Sequence, residues 1–501
     1  MFLLYKLIWF YYEGSAKILK SKTLKSFLVA MSLLMTTTII GTFQTAYAAG
    51  TVTFNYKTAT NNSGSPLLFG GSNEPSPEHN SNVYPKLKGA GFKYQRGTIH
   101  MDTLLPSNIT LADYKNNVNN VQDPNTWDWT GLQWVDFAKA NGITTMLNMF
   151  YAPPWLTYSG NAKGVPKDWS VYQDIIKKII TKYGSKLDYV EPLNEPMTSN
   201  MLSRSGSPYT SQQTAAKDIY YYTVKAIRAV NTTVQVGGDG DDKQGGDFGA
   251  LGTILRDSRL SSTDIQFVSY HAYSSDPVAK SQIGAMNTLL SNTGRAGLPI
   301  FIDEWNYTYV GDTTDPHVVG NQAATFVGTT LMKFMLQPSV KGAAFMSFLP
   351  TNVVLSPYED CPGCVIKQGL YTWNNNTATL MSQTNAFRLL SSSMKLGAGT
   401  FKAYTATYAG VVDTAVGAIN SAGNVIGTMV NDTSSAKTVN VNFTNINASN
   451  GTRTVTVYIA SSTNAGSTAT QTFTNVPLTS GSLSISNVSI PAYSVAGVII
   501  N

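Results

Sequence analysis

Two hydrophobic rhythms alternate along most of the chain. Short apolar runs bounded by Gly, Pro, Asn or Ser read as strands buried on both faces, and between them apolar residues recur at helical spacing. The strand-like runs are LLFGG (67–71), FKYQRG (92–97), TTMLNMF (144–150), DYVEPLNEP (188–196), VQVGG (234–238), IQFVSYHAY (265–273), PIFIDEWN (299–306) and GAAFMSFL (342–349). Helical patterns fall near 83–90, 132–141, 171–183, 212–230, 320–336 and 383–390, with Asn141-Gly142 as a stop signal. Eight buried strands alternating with helices over about 320 residues predict an α/β chain folded as a (β/α)8 TIM barrel with loop insertions. An open doubly wound sheet is the alternative, but no Gly-x-Gly-x-x-Gly follows the first strand.

Beyond about Lys395 the rhythm changes to short Val/Thr/Ile runs (425–430, 438–443, 454–459, 482–488, 495–500) separated by Asn, Ser and Gly turns. This predicts a C-terminal β-sandwich. The run TVTFNY (51–56) alternates like an exposed strand and is expected to join it. The expected division is a secretion signal at 1–48, an N-terminal strand at 49–62, a catalytic barrel at 63–392 and a sandwich at 393–501. No long linker separates barrel from sandwich, so rigid packing is expected.

Composition narrows the class. Only 13% of residues are charged and 11% are aromatic, a balance that suits a secreted protein with a polar, uncharged surface. The net charge of +6 misleads, because residues 1–48 carry five Lys and one Glu, which leaves 30 basic against 28 acidic residues. No nucleic-acid partner is expected. The leader has a basic stretch (17–25), an apolar stretch (27–41) and an Ala-Tyr-Ala site at 46–48, so the mature chain is expected to start near Ala49 and to be extracellular, with no membrane attachment after cleavage. An apolar patch at 1–12 precedes the basic stretch, which is unusual for a signal peptide. Cys361 and Cys364 form Cys-Pro-Gly-Cys, and in an exported chain a short local disulfide is expected.

The chemistry lies where the fourth and seventh strand runs end. Each delivers an acid, Glu195 and Glu304. Two carboxylates from the C-terminal ends of buried strands are what glycoside hydrolysis needs, one to protonate the leaving oxygen and one to attack the sugar carbon. The neighbouring strand ends add Arg96, Trp155, Asn194, His271, Tyr273 and Trp305 as candidate substrate-binding groups. Arg96 would keep a nearby carboxylate ionised. Trp155 and Trp305 offer faces for sugar stacking, Tyr273 a hydroxyl for Glu304, and His271 a bond to a loop or sugar hydroxyl. Asn194 can bond a sugar hydroxyl through its amide. Asn73-Glu-Pro75 repeats the Asn-Glu-Pro tripeptide after the first strand, but it sits in a loop context, and Glu74 is not chosen as catalytic.

These stretches resemble the retaining (β/α)8 clan of glycoside hydrolases, and most of all family 39, the β-xylosidase-like group. The likeness rests on QRG (95–97), EPLNEP (191–196), VGG (236–238), HAY (271–273), DEWN (303–306) and NAFRLL (385–390). Leu193 stands where that family usually has Trp, and Met197 where it has Asn. Families 30, 51 and 79 share the architecture. The resemblance implies Glu195 as acid/base, Glu304 as nucleophile, Asn194 on the 2-hydroxyl, no metal or organic cofactor, and exo-β-xylosidase-like action on a β-linked carbohydrate. An endo-acting glucanase or xylanase is the alternative within the chemistry. A non-catalytic carbohydrate-binding protein on a barrel scaffold is the alternative outside it. Oligomeric state is not legible.

Overall fold

The computed structural model describes residues 50–149, 152–198, 201–309, 313–354 and 365–501. The expected signal at 1–48 and the expected Cys361–Cys364 disulfide lie outside these residues. Strands β1 (Gly50–Asn55) and β2 (Asn61–Gly64) come first. The eight barrel strands follow as β3 (Gly70–Ser72), β4 (Tyr94–Thr98), β5 (Thr144–Asn148), β6 (Tyr189–Glu191), β7 (Gln235–Val236), β8 (Val268–Tyr273), β9 (Ile300–Asn306) and β10 (Val340–Met346). They form a parallel sheet in the order β7-β6-β5-β4-β3-β10-β9-β8. Bonds from Gln266 N to Val236 O and from Gly238 N to Phe267 O join its two ends.

The strands are separated by helices whose apolar stripes cover the sheet. Helix Trp169–Tyr183 buries Val171, Ile175, Ile176, Ile179 and Ile180, and Asp168 caps it by accepting from Ser170 N and Val171 N. Helix Gln212–Val230 is capped in the same way by Ser211. With both faces covered, the strands have no wet side, which explains their nearly continuous apolar character.

Inside the barrel the two-residue period of each strand stacks side chains in layers. Tyr94, Met146, Phe267, Phe301 and Ala344 form an apolar floor with Tyr189 packed against it. Two residues further along each strand the floor gives way to Arg96, Asn148, Glu191, Ser269 and Asp303, all buried and polar. β9 departs from the period. Against β8, Tyr270 pairs with Ile302 and His271 with Glu304; against β10, Ala343 pairs with Ile302 and Phe345 with Trp305. One extra residue, a β-bulge, therefore sits between Ile302 and Trp305.

Past β10 come two small antiparallel pairs, β11 (Val353–Val354) with β12 (Val365–Ile366) and β13 (Tyr371–Asn374) with β14 (Thr377–Leu380). The rest is antiparallel: β15 (Phe401–Thr407), β16 (Thr414–Ile419), β17 (Val425–Asn431), β18 (Lys437–Thr444), β19 (Gly451–Ala460), β20 (Ala465–Leu478), β21 (Leu483–Ile490) and β22 (Ser494–Ile500). β1 lies between β15 and β18 in this sandwich. A separate core of Val52, Phe54, Val439, Val441, Phe443, Val455, Val457 and Val498 fills it. Gln471 of β20 accepts from Ser489 N and donates to Ser489 O, tying the two outer strands together. The sandwich packs on helix Ala323–Met335, where Gly328 approaches Val495 so closely that a Cβ there would lie 2.6 Å from the valine side chain. Among the described residues no helix is long and apolar enough to cross a membrane.

Candidate active site

The C-terminal ends of β4, β6, β8 and β9 bring the candidate residues together. Glu195 lies not on its strand but beyond it: β6 stops at Glu191, and the chain turns through Pro192 to place Glu195 with a φ of 43°. Left-handed backbone is unfavourable for a glutamate, costing on the order of 1–3 kcal/mol. Bonds from Glu195 N to Gly240 O (3.0 Å) and from Thr198 N to Glu195 O (2.9 Å) hold it there.

Glu304 is the residue just after the bulge. Arg96 Nη1 donates to its Oε1 at 2.8 Å, and the Tyr273 hydroxyl bonds its Oε2. Burial, then the Glu304 charge, push the Tyr273 phenol well above its ordinary range, so it stays a donor. Arg96 is itself buried and also binds Glu191 Oε2 through Nε (2.8 Å) and Asn194 Oδ1 through Nη2 (2.6 Å). Desolvation of the guanidinium is outweighed by its anionic neighbours, Glu191 and Glu304 among them, which keep it protonated.

His271 links the two acids. Its Nδ1 lies 2.6 Å from Glu195 Oε1 and 3.5 Å from Glu304 Oε2. Burial alone would lower its proton affinity, but Glu304 and the bond and charge of Glu195 raise it to about 10. One ligand-type atom from each of Glu195, His271 and Glu304 lies within 4.8 Å of the others, so the two carboxylates are closely paired. Three converging ligand atoms resemble a metal cradle, in which a metal would have to displace the proton that His271 holds between the two acids. The arrangement suits proton handling.

One expectation is corrected. Trp305 is fully buried and packs on Phe326, Phe334 and Phe345 toward the surrounding helices. The bulge explains this: it turns both Asp303 and Glu304 toward Arg96 and leaves Trp305 on the outer face. Trp305 therefore offers no surface to a sugar. Trp155 is half-buried, with its ring stacked on Tyr114 at 5.5 Å. Glu74 is tied to the end of β4, accepting from Thr98 N at 3.2 Å.

Sequence reasoning missed the layer beneath. Glu191 takes bonds from Arg96, Asn148 Nδ2 (2.9 Å) and the Ser269 hydroxyl. Asp303 and Asp239 are buried beside it. The available signal was an acid inside an otherwise apolar strand run, at Glu191 and again at Asp303. A polar cavity of about 390 Å³ lined by Thr144, Asp188, Tyr189 and Gln235 opens at the opposite, N-terminal strand ends, remote from these acids.

Residues 60–335 match the family model described as cellulase (glycosyl hydrolase family 5). Among solved structures, a glucosidase from Croceicoccus marinus superposes with a TM-score of 0.67 at 14% identity, covering 90% of this chain and 99% of that one. A family 39 enzyme from Xanthomonas axonopodis pv. citri gives 0.63 at 16% identity, with 92% and 99% covered. A family 30 subfamily 8 xylanase from Clostridium acetobutylicum gives 0.57 at 14%, with 90% and 99% covered. At these identities the likeness is one of fold. The family 39 resemblance thus stands at the level of architecture, while the family model that matches is that of family 5. A search of curated proteins finds no match.

Proposed function

The chain belongs to the cellulase family, glycosyl hydrolase family 5, and on that premise we propose that Glu195 and Glu304 carry out retaining hydrolysis of a β-linked oligo- or polysaccharide. The observation that carries the reading is their spacing. One oxygen of each comes within 4.8 Å of one oxygen of the other, and the single imidazole nitrogen of His271 reaches both acids, at 2.6 and 3.5 Å. So close a pairing favours the about 5–5.5 Å between carboxyl groups of retaining enzymes over the roughly 6.5–9.5 Å that leaves room for an inverting water.

Each residue's role follows from its contacts. Glu304, its oxygens fixed by Arg96 and Tyr273, attacks the anomeric carbon. As the C–O bond to the leaving group breaks, the Glu195–His271 pair supplies the proton through Glu195. The glycosyl ester on Glu304 is then cleaved by water that Glu195 deprotonates, which returns the proton to the pair. Asn194, oriented by Arg96, is placed for the sugar's 2-hydroxyl.

Exo-β-xylosidase-like action is the first reading of the substrate. The match to a family named for cellulases favours a second, endo-acting cleavage of β-glucan or xylan. Aryl β-glycosides and soluble β-glucan and xylan separate the two. Exo action releases monosaccharide with little loss of viscosity, and endo action collapses viscosity first. Secretion belongs to the same reading and is supported by the leader pattern at 17–48. N-terminal sequencing of protein from the culture medium, expected to begin near Ala49, tests it.

A further inference from the structure

Asp303 has no part in the double displacement, yet it occupies the centre of the polar layer. It is fully buried. The groups facing it are Arg96 and Tyr94 of β4, Glu191 of β6, Asp239 after β7, His271 of β8 and, on its own strand, Glu304. Arg96 is the nearest cation, with Nε 2.9 Å from Asp303 Oδ2. The hydrogen bonds it makes go elsewhere: Nε donates to Glu191, Nη2 to Asn194 and Nη1 to Glu304, and Nη2 also lies 2.7 Å from Glu191 Oε2. His271 Nε2 lies 3.9 Å away, too far for a hydrogen bond. Neither Asp303 oxygen receives a hydrogen bond.

Glu191 is the opposite case. Arg96, Asn148 and Ser269 all donate to it, a donor set that suits an anion. A second buried anion there would have the Arg96 charge close by but no hydrogen aimed at it, and it would stand against Glu191 and Glu304, so its desolvation and the like-charge repulsion would be met only in part. Protonation removes both problems, because it turns Asp303 into a donor facing an acceptor.

We propose that Asp303 is held as the neutral acid and donates its proton to Glu191, and that this one-proton pair leaves an Arg96 N–H edge to position Glu304. Burial and then Glu191 push the Asp303 carboxyl well above the ordinary range, against the pull of Arg96 and His271. Burial raises Glu191 too, but Arg96, the bond from Asp303 and Ser269 bring it below its usual value. Two like carboxyls in one site thus divide a proton unevenly. The bulge in β9 makes this possible, since without the extra residue Asp303 and Glu304 would point to opposite faces. Asp303 acts through Arg96 and is a positioning residue.

The catalytic consequence rests on Glu304 being the nucleophile; the protonation state does not, so the two are tested apart. Infrared difference spectra of the full chain at neutral pH, wild type minus Asp303→Asn, should contain a protonated-carboxyl C=O band that shifts on ¹³C labelling of aspartate side chains. In Glu191→Gln the same band should move to a different frequency, because burial still holds the proton on Asp303 while its acceptor is an amide in place of a carboxylate. A band absent from the first difference, shifting with glutamate label instead, or unmoved in Glu191→Gln overturns the proposal. On an activated aryl β-glycoside, Asp303→Asn should keep kcat at least about tenfold above Asp303→Ala, since the amide reproduces the neutral donor. Equal losses would mean that the anion, not the acid, is what the site uses. A folded wild type without glycosidase activity would reject the functional reading while leaving the infrared result to stand or fall alone.

Discussion

His271 Nδ1 stands 2.6 Å from Glu195 Oε1, so the imidazole and the carboxyl form one proton-holding pair at the mouth of the barrel. The pair has a consequence for stability. The folded His271 takes a proton with an affinity of about 10, against 6.5 for the ordinary side chain, so the folded state binds it more tightly. By linkage that contribution is complete below about pH 6.5 and is lost as pH rises to about 10. Urea unfolding of wild type and His271→Gln across this range should show the wild-type advantage shrinking with rising pH. A constant difference would mean that His271 is not held charged.

Trp305 gives a second, contrasting expectation. Its ring is buried against Phe326, Phe334 and Phe345, so Trp305→Ala should destabilise the fold by about 3–5 kcal/mol. Trp305→Phe, which fills part of the volume, should fold well and leave KM within about twofold of wild type, since the ring reaches no substrate. Denaturant midpoints and steady-state kinetics check both. A KM raised tenfold in Trp305→Phe with unchanged stability would restore it as a sugar platform.

Glu195→Ala separates acid from base. Substrates with very good leaving groups need no proton donor, so the variant should still form the glycosyl-enzyme from them while losing activity on unactivated glycosides. Azide should then raise turnover and yield a β-glycosyl azide, because a small anion replaces the water that Glu195 no longer activates. Equal losses on activated and unactivated substrates would remove Glu195 from the acid role.

The barrel was legible because its signal is repeated eight times, and each strand's burial on two faces is written in its composition. The positions of Glu195 and Glu304 at one rim followed from the same pattern. What the pattern hid is local and irregular. A strict two-residue period sends Asp303 and Trp305 to the same face, and the bulge that separates them leaves no mark in the sequence. The run 188–196 reads as one strand, whereas β6 ends at Glu191 and Glu195 is delivered by a turn with positive φ. Glu191 and His271 were visible as residues but not as partners, since their roles depend on groups 95 and 76 positions away, Arg96 and Glu195. Polar networks are set by three-dimensional donor geometry, which periodicity does not encode.

The central claim is that Glu304 attacks the sugar directly, and trapping the intermediate tests it most directly. A 2-deoxy-2-fluoro β-glycoside with a good leaving group should inactivate the enzyme stoichiometrically. Fluorine at C2 destabilises both oxocarbenium-like transition states, while the leaving group lets the first step outrun the second. Mass spectrometry of the peptide spanning 299–309 should locate the label on Glu304, whereas a label on Asp303 or Glu74, or inactivation with no covalent adduct, would contradict the assignment.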